Sequence, residues 1–423
     1  MSTENVRHLQ VWRRLSNGSD VIVGELAQNQ QGTFFQYDPI YLQRWHSLSP
    51  FNLPFDNSLT QASKVPHAGL HGVFADSLPD GWGMLLMDRV LRQRGMSPHS
   101  ITPMDRLAYI GKRGIGALHY TPAMDSENED SLTEIATLGE QAALVFEGHT
   151  QEVLQALANA GGSGGARPKA LIYFDPERPE QVFTGERGSE NQAWLIKFTS
   201  ANLALGHDEG LCESAWLDMA KQCGIDVPEH KLFPQKSGHT WLAVKRFDCV
   251  EGVPGGRHHM QTLCGLLDAD FRQPSMDYED LIKASQVLCQ SPAVGHRQFL
   301  RAMFNLFAVN QDDHTKNWSF LMSDKGQWQP TPMYDVTFSP TPYNEHAMAF
   351  GGYAAKPPLK TVQKLASYAN YSCWKEAQKD LQLICDVLSV WSDRGRALGV
   401  QPARVKEVSA RLNDIYMENK GLL

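Results

Sequence analysis

Two polar residues, Asp312 and Asn317, stand five positions apart in a short polar segment between two apolar runs. A second aspartate, Asp335, follows eighteen residues after the asparagine. A loop with this spacing can aim a carboxylate at a substrate hydroxyl and an amide oxygen at Mg²⁺, and the later aspartate completes the metal site. The pattern therefore predicts phosphoryl transfer and a fold that presents such a loop.

The same segment also has a simpler interpretation. The segment Asp-Asp-His-Thr-Lys-Asn at 312–317 lies between the apolar runs 303–309 and 318–322. It can therefore also be a solvated turn that connects a helix to a strand. The rest of the chain must decide between the two, because a kinase also needs a phosphate-binding loop and a lysine on a strand.

Composition limits the class of protein. With 423 residues, 42% hydrophobic and 20% charged, the chain is typical of a soluble globular protein of two or three domains. It has neither an apolar stretch long enough to cross a bilayer nor the layout of a secretory signal, so we expect a cytoplasmic protein without membrane contact. Seven cysteines without a Cys-x-x-Cys pair indicate reduced thiols. The net charge of -8 gives no overall attraction to DNA, so a link to DNA needs a local patch or a partner.

The N-terminal part has the pattern of β structure. Segments 11–15 and 21–26 flank Asn17-Gly18, and Asn-Gly is a strong hairpin signal because both residues tolerate a positive φ. The segment 121–131 is acidic and poor in large apolar residues, and we interpret it as an exposed linker. We therefore place an N-terminal β-rich subdomain at 1–125.

Two further parts follow. In 126–250 we expect strands at 170–174, 194–198 and 241–247 and helices at 142–160 and 211–223. In 251–423 helical periodicity dominates, at 278–289, 296–309, 360–369, 374–391 and 402–416. The sequence thus predicts an α+β, two-lobed protein-kinase-like fold, in which a β-containing N-terminal lobe with an extra subdomain precedes an all-helical C-terminal lobe.

A glycine-rich segment is the candidate phosphate loop. Four of the five residues at 161–165 are glycine, and glycines let backbone N–H groups approach phosphate oxygens. The segment matches neither the Walker pattern nor Gly-x-Gly-x-x-Gly, so a flexible turn is the alternative.

Three further features follow in the order that a kinase requires. Lys197 interrupts an apolar strand. It is either a lysine that holds nucleotide phosphates or an ordinary lysine on an edge strand. Glu213, on the next helix, is its candidate ion-pair partner or an ordinary surface glutamate. The strand at 241–247 then leads into the helical part, where a hinge would contact adenine, although Phe247 also fits a plain core aromatic.

Together these motifs resemble those of the HipA family of serine/threonine kinase toxins, whose fold is similar to that of phosphatidylinositol kinases. The resemblance covers nearly the whole chain. Its N-terminal part is Phe-Ala-Asp-Ser-Leu-Pro-Asp-Gly-Trp-Gly at 74–83 and Gly-Ile-Gly-Ala-Leu at 114–118. Its kinase motifs are those at 164–169, 244–248, 312–317 and 332–335.

The resemblance implies roles for individual residues. Asp312 would accept the proton of the substrate hydroxyl, a choice that its spacing to Asn317 also favours over Asp313. Asn317 and Asp335 would bind Mg²⁺. The residues implied in ATP binding are Gly164, Gly165, Ala166, Arg167, Pro168, Lys169, Lys197, Lys245, Arg246, Phe247, His314, Lys316 and Tyr334.

The resemblance also implies a reaction and partners. We expect ATP- and Mg²⁺-dependent phosphorylation of a translation component such as an aminoacyl-tRNA synthetase, and pairing with a HipB-like antitoxin that supplies the only contact with DNA. Two alternatives stay open: a small-molecule kinase on the same scaffold, and a kinase-like corepressor that acts mainly by binding a DNA-bound antitoxin. A metal hydrolase built on His258, His259 or His314 is a weaker alternative, because no metal-ligand spacing supports it.

One position departs from the family pattern. In the family pattern, a serine stands three residues before the loop glycine that matches Gly165, and its autophosphorylation switches the kinase off. In this chain that position is Gly162. Ser163 is adjacent, so either it serves in a shifted register or this regulation is absent. A phosphoserine there would add negative charge beside the phosphates of ATP and could expel the loop from the site.

Overall fold

The computed structural model of the protein describes residues 5–97, 99–124, 132–153, 155–160, 162, 164–185, 191–236, 238–274 and 276–423. The chain divides into two compact units. The first consists of Met1–Ser200, Ala243–Asp268 and Leu321–Gln327, and the second of Ala201–Leu242, Ala269–Phe320 and Trp328–Leu423.

The described strands and helices follow in chain order. The strands are β1 His8–Arg14, β2 Asp20–Asn29, β3 Gly32–Tyr37, β4 Thr60–Gln61, β5 Leu118–Thr121, β6 Leu132–Glu134, β7 Lys169–Phe174, β8 Gln181–Phe183, β9 Gln192–Lys197, β10 His230–Pro234, β11 Thr240–Lys245, β12 His259–Thr262, β13 Ser319–Met322 and β14 Trp328–Pro330. The helices are α1 Pro39–Arg44, α2 Gly72–Ala75, α3 Gly81–Gln93, α4 Pro103–Ile110, α5 Ile135–Phe146, α6 Gln155–Asn159, α7 Glu209–Gln222, α8 Leu263–Leu267, α9 Tyr278–Cys289, α10 Ala293–Phe307, α11 Leu359–Tyr368, α12 Trp374–Ser389, α13 Trp391–Ala397 and α14 Pro402–Asn419.

The first unit contains an antiparallel sheet with strand order β4-β3-β2-β1-β5. The hairpin predicted at Asn17-Gly18 is confirmed, since β1 and β2 pair from His8 opposite Ala27 to Arg14 opposite Asp20. Gly18 has a φ of +82°, the left-handed conformation that a tight turn needs. Leu9 and Val11 alternate with more exposed residues along β1, so one face of this sheet is buried.

A second group of strands in the first unit carries the phosphate-loop region. Strands β9, β7, β8 and β6 are neighbours in that order, and each pair is antiparallel. All six residues of β7 are buried, which matches the predicted apolar strand. Phe174 and Trp194 stack with ring centroids 5.3 Å apart, so large aromatic rings pack across β7 and β9.

The prediction of one helix over 142–160 is wrong. Helix α5 ends at Phe146 and α6 begins at Gln155. Gly148 has a φ of +80°, and the N–H of His149 donates to the carbonyl of Leu144 at 2.9 Å. A left-handed glycine that returns the chain onto the last turn is a common helix stop.

The second unit is mainly helical. Trp216 of α7 packs against Trp391 at the start of α13, with ring centroids 4.8 Å apart, and against Phe338 at 6.1 Å. The helix predicted at 278–289 is confirmed with the same bounds. The sheets of the N-terminal part and the helices of the C-terminal region together confirm the α+β class.

The prediction of an all-helical part at 251–423 is wrong, because β12, β13 and β14 lie in it. The residues Ser-Phe-Leu-Met of β13 are all buried. A fully buried apolar run of four residues suits a short strand, and it is too short to show helical periodicity. The pattern predicted at 374–391 likewise divides, since α12 ends at Ser389 and α13 begins at Trp391.

All seven cysteines lie in the described part of the chain and none forms a disulfide. Among the described residues, no helix combines the length and the apolar composition that crossing a membrane requires.

Candidate active site

The candidate catalytic loop in the second unit follows directly on α10. The helix ends at Phe307, and the next carbonyl, that of Ala308, accepts a hydrogen bond from the indole N–H of Trp216 at 3.0 Å. Val309 then takes a φ of +55°. A β-branched residue rarely adopts this left-handed conformation, and such strain concentrates at functional sites. The backbone therefore turns sharply just before the loop.

Two hydrogen bonds shape the loop from Asp312 to Asn317. The Asn317 side-chain N–H donates to the carbonyl of Asp312 at 2.7 Å, and the Asp312 N–H donates to the hydroxyl of Ser339 at 3.3 Å. The carboxylate of Asp312 is 62% exposed and lies 3.7 Å from Nε2 of His314. The loop thus presents the Asp312 carboxylate to solvent while its backbone is held in place.

Asp313 has the opposite environment. Its carboxylate is fully buried and accepts hydrogen bonds from the hydroxyl of Tyr278, Nδ1 of His346 and the backbone N–H groups of Ala347 and Met348. The sequence did not assign these partners, because they come from two segments that lie 35 positions before and 33 after Asp313. The adjacent aspartates at 312–313 were the available signal, since two neighbouring carboxylates seldom share one environment.

Other predicted residues of the second unit either belong to this loop or follow it in the chain. The hydroxyl of Tyr334 donates to the carbonyl of Lys316 at 2.7 Å, and Nζ of Lys316 lies 4.5 Å from the ring centroid of Phe271. Asp335 follows Tyr334 with a φ of +54°, a conformation that aspartate tolerates better than most residues. His314 and Asp335 are half-buried.

The candidate phosphate loop in the first unit is fixed by the segment that begins α3. Asp80 accepts a hydrogen bond from the N–H of Gly165, and the N–H of Trp82 donates to the carbonyl of Gly165 at 2.9 Å. The Trp82 indole N–H donates to the carbonyl of Lys169 at 2.8 Å. Gly165 has a φ of +93°. The motif at 74–83 supported the family resemblance, but its contact with this loop was not predicted.

Two lysines face each other in the same region. Lys169 of β7 and Lys197 of β9 are directly opposite in the antiparallel register, and they are only 4% and 7% exposed. Directly opposite residues project from the same face of a sheet. Buried charges need groups that balance them, and the binding of phosphate by this pair of lysines stays a prediction. Arg167, between the loop and β7, is half-buried and Ala166 is exposed.

The strand predicted as the hinge ends at Lys245. The ammonium of Lys245 pairs with Glu251 at 2.8 Å, and Phe247 is half-buried. The guanidinium of Arg246 is buried and donates to both carboxylate oxygens of Asp248, at 3.0 and 2.6 Å. This guanidinium is thus committed to a structural ion pair, and contact of 245–247 with adenine stays a prediction.

Two further predicted residues complete the set. Glu213 is buried on α7 in the second unit, and its ion pair with Lys197 stays a prediction. Ser163, the predicted autophosphorylation site, lies outside the described residues.

Comparison with known families gives two matches. Residues 161–407 match the HipA-like C-terminal domain, and residues 18–121 match the HipA N-terminal domain. Among individual proteins, the chain is 23% identical over 341 residues to the serine/threonine-protein kinase toxin HipA of Shewanella oneidensis, covering 75% of this chain and 73% of that protein. It is 25% identical over 354 residues to the putative kinase Y4mE of Sinorhizobium fredii, covering 78% of this chain and 77% of that protein.

A solved structure has a similar fold. The complex of HipA, HipB and operator DNA from Shewanella oneidensis contains a chain that aligns with a TM-score of 0.62 at 18% identity, covering 98% of this chain and 96% of that chain. At this identity the match shows the fold alone, which is the α+β HipA-like fold.

The matched HipA domains define a HipA-like serine/threonine kinase of the toxin class. Because the HipA-like C-terminal domain covers more than half of its length, the chain belongs to the HipA family. The resemblance drawn from the motifs is confirmed, and a kinase of this family implies ATP as the phosphoryl donor.

Proposed function

We propose that this kinase transfers the γ-phosphate of ATP, with Mg²⁺, to a serine or threonine hydroxyl of a protein and that Asp312 accepts the hydroxyl proton. The observation that carries the assignment is the contrast between two adjacent carboxylates. The Asp312 side chain is 62% exposed, whereas that of Asp313 is 0% exposed. A proton acceptor must come within hydrogen-bond reach of the substrate, and only the Asp312 carboxylate is accessible.

The residues of the catalytic loop divide the work. Asp312 would orient the acceptor hydroxyl and take its proton as the hydroxyl oxygen bonds to the γ-phosphorus of ATP and the bond from that phosphorus to the leaving oxygen of ADP breaks. His314 and Lys316 would lie near the transferring group, where a cationic side chain stabilises the negative charge of the transition state. Phosphoryl transfer demands little covalent chemistry from a protein, so correct placement of these groups supplies most of the catalysis.

Asn317 and Asp335 suit a hard divalent cation. Because the amide nitrogen of Asn317 donates to the carbonyl of Asp312, its oxygen is the atom left to act as a ligand. Together with the Asp335 carboxylate this oxygen would supply two ligands, and Mg²⁺ is usually held by one or two protein groups together with phosphate oxygens. When bound, Mg²⁺ neutralises charge on the phosphates.

The loop at 164–169 and the facing lysines suit the phosphates of ATP. A side chain at Gly165 would collide with the end of the Lys169 side chain, so the glycine leaves room for that ammonium beside the loop backbone. Lys169 and Lys197 lie directly opposite each other in the register of β7 and β9, and a lysine ammonium suits the phosphates of a nucleotide.

Replacing Gly165 with alanine should weaken ATP binding about tenfold. Alanine is strained by roughly 1–3 kcal/mol in the left-handed conformation of this residue, and the phosphate loop would shift to relieve that strain. Isothermal titration with ATP measures the effect. Gly399→Ala is the matched control, because Gly399 has a φ of +82° and no atom within 4 Å of the added Cβ. Equal ATP affinity in the two variants would contradict the assignment of the loop.

We further propose that the protein substrate belongs to the translation machinery, such as an aminoacyl-tRNA synthetase, and that a HipB-like antitoxin is the partner. Support for the partner comes from the complex in which the Shewanella oneidensis HipA is solved with HipB and operator DNA. The net charge of -8 fits a chain that reaches DNA only through such a partner. The same complex supports the alternative of a kinase-like corepressor that acts mainly by binding a DNA-bound antitoxin.

Mapping of phosphorylated proteins in a cell lysate tests the substrate proposal. The lysate receives Mg²⁺-ATP and either the intact chain or the Asp312→Asn variant. We expect new phosphoserine or phosphothreonine on a translation component only with the intact chain. Transfer of phosphate exclusively to small molecules would instead support the small-molecule kinase.

A further inference from the structure

The buried aspartate beside the proposed proton acceptor is held from two directions. The hydroxyl of Tyr278, at the start of α9, donates to Oδ2 of Asp313, and Nδ1 of His346 meets the same oxygen at 2.8 Å. The other oxygen accepts backbone N–H groups of residues 347 and 348 at 2.8 and 3.3 Å. With both oxygens engaged, the carboxylate cannot rotate without breaking hydrogen bonds in the protein interior.

The network continues to the backbone of the catalytic loop. The Asn305 side-chain N–H donates to the Tyr278 hydroxyl at 3.0 Å, and that of Asn310 donates to the Asn305 carbonyl oxygen at 2.9 Å. The Asn310 side-chain oxygen accepts the hydroxyl of Ser339 at 3.1 Å, and this hydroxyl also accepts the N–H of Asp312 at 3.3 Å. Hydrogen bonds therefore hold the loop at the backbone N–H of Asp312 and at the side chain of the next residue, Asp313.

We propose that Asp313, held by Tyr278 and His346, is the positioning residue that fixes the direction of the Asp312 carboxylate. The inference rests on the proposed function, in which Asp312 is the proton acceptor. Asp313 and Asp312 share a peptide bond, so a shift of the buried carboxylate tilts the exposed one. A displacement of about 1 Å at a reacting group can cost on the order of a hundredfold in rate.

The network suits a permanent positioning role. Burial and the Asp313 carboxylate raise the pKa of Tyr278 well above its usual value, so the hydroxyl stays a donor across the working pH range. The ring of Tyr278 also packs against Trp318, which follows the loop, and against Phe350, with centroids 5.6 and 4.6 Å away. A phenylalanine at 278 retains this packing and removes the hydroxyl, which donates to Asp313 and accepts the side-chain N–H of Asn305.

The test compares Tyr278→Phe with the intact chain. We expect kcat to fall at least tenfold and the KM for ATP to change less than about twofold. The Tyr278 hydroxyl helps to orient the group that takes the proton of the substrate hydroxyl, and this affects the transfer step more than ATP binding. Tyr371→Phe is the matched control, since the hydroxyl of Tyr371 also donates to a carboxylate, that of Asp380 at 2.5 Å, away from the catalytic loop. The control should retain its kcat.

A second pair of variants separates positioning from simple loss of structure. In His346→Asn the amide nitrogen can occupy the place of Nδ1 and donate to Asp313, whereas His346→Leu has no donor. We expect His346→Asn to retain most of the turnover and His346→Leu to lose at least tenfold.

Hydrogen exchange gives a readout that does not need activity. Amides at 310–318 should exchange faster in Tyr278→Phe than in the intact chain, and exchange in α12 should be unchanged. Unchanged exchange at 310–318 would overturn the inference, as would a kcat equal to that of the intact chain or of Tyr371→Phe. An intact chain without any transferase activity would refute the proposed function, and the exchange measurement would still decide whether the network holds the loop.

Discussion

Replacing Asp312 with asparagine should lower the rate of phosphoryl transfer by about 10²–10⁴-fold, the usual contribution of a positioned proton acceptor. Asparagine has nearly the same shape as aspartate but cannot accept the hydroxyl proton. The backbone carbonyl of Asp312 accepts a hydrogen bond from the Asn317 side chain, and its backbone N–H donates to the Ser339 hydroxyl. The substitution leaves both backbone groups in place. The loop should therefore retain its conformation, and ATP binding should be unaffected.

Single-turnover assays with labelled ATP measure this rate, and ATP titration checks that binding is retained. Asp393→Asn is the control, because the Asp393 carboxylate is 87% exposed on α13 and pairs only with Arg396 among the described ion pairs. A rate within threefold of the intact chain in Asp312→Asn would remove Asp312 from the proposed role. Loss of ATP binding in the same variant would indicate a binding role instead.

Replacing Asp248 with asparagine should destabilise the first unit by about 3–5 kcal/mol, the usual cost of removing one partner from a buried ion pair. The Asp248 carboxylate accepts two hydrogen bonds from Arg246 and one from the N–H of Gly116 at 2.7 Å. Arg246 is also within reach of the Tyr173 hydroxyl at 3.3 Å, but that neutral group cannot balance its charge. The guanidinium would be left buried without its counter-ion.

The same ion pair predicts how stability depends on pH. Burial tends to raise the pKa of Asp248, but the charge and hydrogen bonds of Arg246 outweigh it and the pKa is lowered. A lowered folded-state pKa contributes stability that is present above the unfolded value of about 3.9 and is lost as pH falls through the folded value. The difference in free energy of unfolding between the intact chain and Asp248→Asn should thus be full at pH 7 and shrink below about pH 3.9.

Urea unfolding at pH 7 and in acid measures both effects. Asp393→Asn again serves as the control, and its unfolding midpoint should equal that of the intact chain because its ion pair is exposed. An Asp248→Asn variant as stable as the intact chain at pH 7 would show that the Arg246 ion pair contributes little to the folded state.

Local patterns predicted much of this fold. The Asn17-Gly18 hairpin and the helix at 278–289 follow from turn chemistry and periodicity over a few residues, which the chain context did not override. The prediction of one helix at 142–160 was wrong because the chain leaves the helix at Gly148, and a second helix, α6, begins at Gln155. Periodicity alone does not reveal such an interruption.

The site shows the same limit more sharply. The spacing from Asp312 to Asn317 is local, and the two residues are joined by a direct hydrogen bond. The role of Asp313 depends on Tyr278 and His346, which are more than thirty positions away on either side. The hydrogen bond from the N–H of Gly165 to the Asp80 carboxylate joins residues that are 85 positions apart. Contacts at such separations arise from tertiary packing, and one sequence does not show which distant residues form them.

A protein kinase that uses Asp312 as its proton acceptor should label protein hydroxyls only when this carboxylate is present. The most direct test incubates the intact chain and Asp312→Asn with γ-labelled ATP, Mg²⁺ and lysate proteins and then analyses the labelled amino acids. We expect phosphoserine or phosphothreonine with the intact chain and almost none with the variant. Intact chain that binds ATP but labels no protein hydroxyl, or a variant that labels as well as the intact chain, would contradict this expectation.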